Sequence, residues 1–327
     1  MQKSKVFVSG FTGMHCEVVK NIVLAGISVV IHDSGTVEAQ DLASNFFFTA
    51  ADVGTSRATA GVTRVQEMNP LTSVSAEMRP LSELEDIYFK DFSVVLLGNC
   101  SETDVHRLNT LTRAGKTVLY WGGCFGMEGW FVCDYGPSFE FKEDQKQGAA
   151  SQRVSRDNSS SSTSTTPAIH TISFPSIKQA LAVPWNTHIS RRKPLSPVYV
   201  KARVLAEFHT SRGRLPNPTD AAAMKALTTQ LLSANNVTDT AVVTPILESL
   251  DHLCVCSGSV IPVVSAVVGG LLAQEVLKAV SLVGQPMQNI FVFDGMTNEA
   301  RTFPSAMPKQ APKPTVASAA SEDVIVL

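Results

Sequence analysis

The sequence predicts an α/β fold built on a mostly parallel sheet. Two patterns carry that reading. Short apolar runs of strand length alternate with segments of helical period, and the first such pair, KVFVSGFTGMHCEVVKNIVLAGI at 5–27, passes from a buried strand through a glycine turn into a helix. A third observation sets the scale: 327 residues that are 44% hydrophobic suffice for one large domain or two ordinary ones with a substantial core.

Taken in order, KVFVSG is the first strand, and 17–25 is a helix with Val18, Ile22 and Ala25 on one face. SVVIHD is the second strand, ending in Asp33. A helix over 57–68 is closed by Asn69 and Pro70, and VSAEM, FSVVLLGNC and TVLYWGG follow as strands. Strands alternating with helices pair in parallel, covered on both faces. GMEGWFVCDYG reads as a return strand at the sheet edge. From 142 to 166 almost no large apolar residue is present to offset ordering entropy, so a disordered insert is expected there. Order resumes with HTISFPSIKQALAVPW, a helix containing VLAEFHTSRGRLPN, a helical region at 220–233, an apolar helix after Pro262 and a last strand, NIFVFDG. The expected organisation is therefore one domain in two parts, 1–141 and 167–304, around the insert at 142–166, with a flexible Pro/Ala/Ser-rich tail at 305–327.

Charge and cysteine usage narrow the function classes. Lys and Arg total 27 against 29 Asp and Glu, a formal charge of −2, so no overall basic field recruits nucleic acid or an anionic membrane. The six cysteines are scattered without a C-x-x-C, which argues against a zinc site or a disulfide framework and for a reducing compartment. The N-terminus enters a strand directly, without the apolar core of a signal peptide. The longest apolar run, 260–273, reaches Gln274, Glu275 and Lys278 before it could span a bilayer, and reads as a buried helix.

The glycine turn is the first candidate site. Backbone N–H groups at a helix N-terminus cradle phosphate only if no side chain blocks the approach. Where a dinucleotide fingerprint wants three glycines, Gly10, Thr12 and His15 stand, with a second glycine displaced to Gly13. A structural role for Gly10 and Gly13 in the strand–helix turn is favoured over a working cradle. Asp33 is placed either to accept ribose hydroxyls or to serve as a turn residue or cap. A reactive cysteine needs a depressed pKa, and Cys16, Cys100 and Cys124 are each expected to be buried or incidental thiols.

Seven stretches in register, among them GFTGMHCEVVKNIVLAGI, CFGMEGWFVCDYG, FPSIKQALAVPW, FHTSRGRLP and VVGGLLAQEVLKAVS, resemble the ubiquitin-activating superfamily, whose adenylation domains are of the ThiF/MoeB type. Within it the chain is most similar to the small, non-catalytic subunits of SUMO-activating enzymes. The resemblance implies a Rossmann-like adenylation domain and an obligate heterodimer, acting in nucleus and cytoplasm. In that heterodimer a larger catalytic subunit binds ATP and Mg, adenylates SUMO and carries the thioester cysteine. It further implies that this chain alone holds no cofactor and contributes no catalytic residue. Active members have glycine where His15 stands, an Asn-x-x-Arg-Gln block where this sequence has Asn45 followed by Phe48, lysine at Arg57, and an Asp-Asn pair at Asn99 and Cys100. Gly10, Gly13, Asp33, Asn45 and Arg57 are expected to line a degenerate cleft, and Phe46, Phe47, Gly269 and Gly270 to contribute to the subunit interface.

Two termini carry further expectations from the resemblance. An arginine-bearing segment ahead of the first strand reaches the partner's ATP in the family; here only MQKS and Lys5 precede Val6, so slow adenylation by the heterodimer is expected. The closing SEDVIVL resembles a SUMO-interacting motif, in which Val324, Ile325, Val326 and Leu327 would add as a strand to a sheet edge while Glu322 and Asp323 face basic residues. A self-sufficient ThiF/MoeB-like adenylating enzyme and a pseudo-Rossmann adaptor are the competing readings.

Overall fold

The computed structural model describes residues 4–143, 168–188 and 194–303. The calls on the insert beyond Glu143, on the C-terminal tail and on residues 1–3 lie outside the described residues.

Five parallel strands form the left half of one sheet: β1 (Lys5–Ser9), β2 (Ser28–His32), β3 (Val74–Glu77), β4 (Val94–Leu97) and β5 (Val118–Phe125), in the spatial order β3-β2-β1-β4-β5. Each of the central strands is apolar on both faces, as Val6, Phe7 and Val8 or Val94, Val95 and Leu96 illustrate, because helices cover the sheet front and back. β6 (Glu128–Asp134) returns antiparallel beside β5 as expected, but it is an interior strand and not the edge. A small separate hairpin, β7 (Phe139–Lys142) with β8 (Ile169–Ile172), follows, so Lys142 closes a strand where the insert was expected to start. β9 (Ile290–Asp294) then pairs with β6, and β10 (Glu299–Phe303) forms the edge. NIFVFDG is thus the penultimate strand. EARTF gives no apolar run because an edge strand needs only one buried side chain, here Phe303.

Among the helices, α1 (Gly13–Leu24) starts four residues earlier than expected, so the glycine turn is itself the helix N-terminus. The expected helix over 57–68 is split at Gly61 into α2 (Arg57–Ala60) and α3 (Val62–Met68). A Cβ on Gly61 would lie 2.5 Å from the Phe11 ring, so the chain passes there only as glycine. α4 (Glu102–Gly115) was not legible, since the polar Asn109 and Thr112 sit on its buried face with Val105 and Leu108. α5 (Ile177–Leu181) lies in the stretch where order was expected to resume, α6 (Pro197–Arg212) is the expected helix but stops at Gly213, short of RLPN, and α7 (Ala221–Ala234) matches the helical region expected at 220–233. α8 (Thr240–Cys256), also unforeseen, carries Pro245 in its interior.

α9 (Pro262–Ser281) is longer than the apolar run from which it was inferred, and by length and composition alone it could cross a membrane. Packing identifies it as a core helix: Val264, Val268, Leu272 and Val276 are buried on the sheet side with α1 alongside. The two helices approach closely at Gly269, where a Cβ would come within 2.7 Å of the Met14 carbonyl oxygen. Gly270, one residue on, has open space where its Cβ would be.

A buried polar clasp joins the two halves of the chain. The Asp134 carboxylate, fully buried at the end of β6, accepts from Arg113 Nη1 at 2.7 Å, Asn109 Nδ2 at 2.7 Å and the Gly136 amide at 2.8 Å. The same donors reach onward: Arg113 donates to the Phe174 carbonyl and Asn109 accepts from the Ile177 amide. A second network, Tyr120 to Tyr135 to Glu275, ties β5 to α9, and Glu275 also accepts from the Met287 amide at 2.7 Å.

Two outcomes follow. Arg113→Ala leaves a buried, uncompensated carboxylate and is expected to lower stability by about 3–5 kcal/mol in urea denaturation. Gly269→Ala is expected to cost about 1–3 kcal/mol through overpacking against α1. Gly270→Ala, by contrast, should be neutral or stabilising through its better helix propensity. Equal effects of the two glycine substitutions would show that α1 and α9 are not held at this distance.

Candidate functional site

The C-terminal ends of β1, β2, β4 and β5 border a cleft of about 540 Å³. This is where open α/β sheets bind ligands. Gly10, Gly13, Asp33 and Arg57 line it together with Asn99 and Cys124, so residues far apart in sequence converge there. Asn45 does not reach it. Its side chain is buried behind the turn, donating to the Phe11 carbonyl at 2.9 Å and accepting from the Phe47 amide.

The glycine turn is spent on the chain's own geometry. Gly10 has φ +82°, a left-handed conformation that favours glycine, and its amide donates to the His32 carbonyl. A Cβ on Gly13 would meet Ser44 at 2.7 Å and Ser265 Oγ at 2.9 Å, so this glycine lets the segment between β2 and α2 and the start of α9 close on the start of α1. His15 is buried beneath the turn, its Nδ1 2.5 Å from the Gly10 carbonyl and 3.3 Å from Thr12 Oγ1. The carbonyl partner assigns the proton to Nδ1. Burial pushes its pKa down to about 4, against the opposing pull of the Gly10 carbonyl and Asp33, so the ring is neutral at physiological pH.

Each charged group expected at a nucleotide already has partners. Asp33 Oδ2 accepts from the Phe11 amide at 2.9 Å and Oδ1 from the Gly35 amide at 2.8 Å, so it braces the turn. Arg57 is held by Asp41 at 2.8 Å, Glu38 at 3.6 Å and Asp33 at 3.9 Å. Burial works against its charge, and these three acids outweigh burial to raise its pKa. Arg214, on the opposite rim, forms a two-pronged pair with Asp220 at 2.7 and 2.9 Å. The lining described here thus presents Asp33, Glu38 and Asp41 against Arg57 and Arg214, and both guanidiniums are already paired. A triphosphate with its metal does not fit such a lining: it would meet excess negative charge and a turn whose glycines are occupied by packing.

The remaining candidate residues divide between core and surface. Phe48 stacks edge-on against Phe11 at 5.6 Å, and Phe47 lies parallel to the same ring at 5.9 Å, so both belong to the core. Phe46 is 50% exposed, with Lys20 Nζ 5.2 Å from its ring. Gly269 serves α1, whereas Gly270 faces outward with the exposed Val263 and Val267. Burial raises the pKa of all six cysteines, Cys16 to about 12, so none has the thiolate character of a nucleophile. Sequence reasoning missed Glu38, Asp41 and Arg214. Nothing in one dimension signals that an arginine will find acids 16 and 19 residues upstream, although the spacing of Asp220 from Arg214 is short enough for a local pair.

The chain matches the ThiF family model over residues 1–315. It is 30% identical to SUMO-activating enzyme subunit 1 of Rattus norvegicus over 309 residues, covering 90% of this chain and 86% of the relative. The corresponding proteins of Xenopus laevis and Homo sapiens are 30% and 29% identical, with 91% and 90% of this chain covered and 88% and 87% of theirs. With its mostly parallel sheet, its strand–glycine turn–helix opening and this match along nearly its whole length, the chain belongs to the ThiF family and is a homologue of SUMO-activating enzyme subunit 1.

Proposed function

We propose that this chain is the non-adenylating subunit of a heterodimeric SUMO-activating enzyme, working in the nucleus and cytoplasm beside a larger subunit that holds ATP and Mg and forms the thioester. The homology to SUMO-activating enzyme subunit 1 supports the role in SUMO activation, and a numbered subunit implies a companion. The assignment of the chemistry to the companion rests on one observation: the cleft's guanidiniums, Arg57 and Arg214, and its acid Asp33 are bonded within the chain, leaving no paired set of contacts for a phosphate. In this reading the outward face of α9, with Val263, Val267 and Gly270, packs on the larger subunit together with Phe46, because an apolar stripe beside an exposed aromatic gains most from being covered. Phe47 and Gly269 support that surface from beneath.

The tail is assigned a second task. It lies outside the described residues, and SEDVIVL has the composition of a strand-adding SUMO ligand flanked by acids. Tethered to the heterodimer, it would raise the local concentration of SUMO without strong intrinsic affinity.

Two measurements test the reading. In ATP–pyrophosphate exchange with SUMO present, the purified chain is expected to turn over at least about 10²-fold more slowly than the chain with its larger subunit, the loss typical of even one missing charge-stabilising contact. Saturable micromolar ATP binding and exchange by the chain alone would place it among self-sufficient adenylating enzymes. For the tail, a peptide of residues 315–327 is expected to shift resonances along one sheet edge of labelled SUMO. A peptide with Val324, Ile325 and Val326 changed to Ala should not, and indistinguishable spectra would remove this role.

A further inference from the structure

At the C-terminal ends of β1 and β2 the strand register sets Ser9 beside His32, and both residues line the cleft. Ser9 Oγ lies 2.8 Å from His32 Nδ1, and His32 Nε2 lies 2.8 Å from the Arg79 carbonyl oxygen, just past β3. The backbone around the pair is pinned on two sides. The Gly10 amide donates to the His32 carbonyl and the Gly98 amide to the Ser9 carbonyl, each at 2.8 Å. Neither side chain is spent on the hydrogen bonds and ion pairs that hold Asp33, Arg57 and Arg214.

The far end of this chain of bonds sets its direction. A carbonyl oxygen only accepts, so Nε2 carries the ring proton, Nδ1 presents its lone pair, and the Ser9 hydroxyl donates to it. Hydroxyl, base and orienting group thus stand in the order that activates a serine. The ring is also in the form a base needs. Burial lowers the His32 pKa against the opposing pull of the Arg79 carbonyl, Asp33 and Glu77, so the imidazole is neutral at physiological pH. Ser9 and His32 are only 5% and 4% exposed, which suits a small acyl group. An uncharged ester brings no charge to oppose Asp33, Glu38 and Asp41 on the same lining, where a phosphate does.

We propose that Ser9 is a nucleophile for small, uncharged, activated esters, with His32 as its general base and the Arg79 carbonyl as the orienting group. Oγ adds to the ester carbonyl carbon while its proton passes to His32 Nδ1. The bond from that carbon to the leaving oxygen then breaks, the leaving group departs with the electron pair and takes up the proton from Nδ1, and the acyl group remains on Ser9. No co-reactant is needed. The step uses none of the charged groups on which the division of subunit roles rests, so the two stand or fall separately.

The test mixes the full chain with p-nitrophenyl acetate at neutral pH, follows release of p-nitrophenolate, and maps the acetylated residue by tandem mass spectrometry after acid quenching. Acetyl is expected on Ser9, and the corresponding burst is expected to vanish in Ser9→Ala. His32→Gln keeps an acceptor for Ser9 and a donor for the Arg79 carbonyl but is no base, so it should slow acetylation of Ser9 by at least about 10²-fold. In the unaltered chain the rate should rise with pH and level off above a pKa lower than that of an ordinary histidine, since only the neutral ring accepts the proton. Acetyl groups confined to lysines, undiminished labelling of Ser9 in His32→Gln, or a rate that climbs with pH without levelling would overturn the proposal. Should either variant fail to fold, the mapped residue and the pH profile of the unaltered chain decide alone.

Discussion

The buried carboxylate of Asp134 holds the first and second halves of the chain in one domain. A desolvated charge is tolerable only when its lone pairs are filled, and here Arg113, Asn109 and the Gly136 amide fill them. Arg113 and Asn109 also grip the backbone of Phe174 and Ile177, just beyond the β7–β8 hairpin. Both side chains stand on α4, which packs on α5 and also on α6, whose His209 forms part of the cleft wall. The cleft is therefore built downstream of an ion pair that lies outside it.

Within the cleft the same rule operates at smaller scale. Acids and guanidiniums that could meet a nucleotide meet one another or the backbone, and the glycines that could admit phosphate admit Ser44, Ser265 or a sharp turn. His15 completes this inward arrangement by filling the space beneath the turn as a neutral ring, close enough to Gly98 that a Cβ there would lie 2.6 Å from it. The shape of a ligand site persists because it is also the shape in which strand, turn and helix pack.

Much of the fold was legible because buried parallel strands write themselves as continuous apolar runs: β1, β2, β4 and β5 fall where SVVIH or VVLL predict them. The misses share a cause. α4 buries Asn109 and Thr112 for hydrogen bonds that only tertiary structure reveals, β10 is an edge strand with one buried residue, and β6 is interior only because β9 arrives from far along the chain. At the site, the convergence of Gly10, Gly13, Asp33 and Arg57 was foreseeable from a strand–turn–helix pattern, but the partners of Arg57 were not. Period reveals which face is buried; it is silent on which charge will neutralise which. Nor could it separate Phe47 from Phe46, neighbours that face core and solvent respectively.

The internal pairing of Asp33, Asp41 and Arg57 also bears on how the fold is sustained. A protein that binds a ligand only when native gains stability by mass action in proportion to ligand concentration, and proteins with unpaired site charges lean on that supply. Sites that keep strained or unsatisfied groups for function do so at a cost in folding free energy. With its carboxylates and guanidiniums paired to one another and to the backbone, this cleft carries little of that cost, and under the proposed division of labour its persistence would not depend on the cellular nucleotide pool.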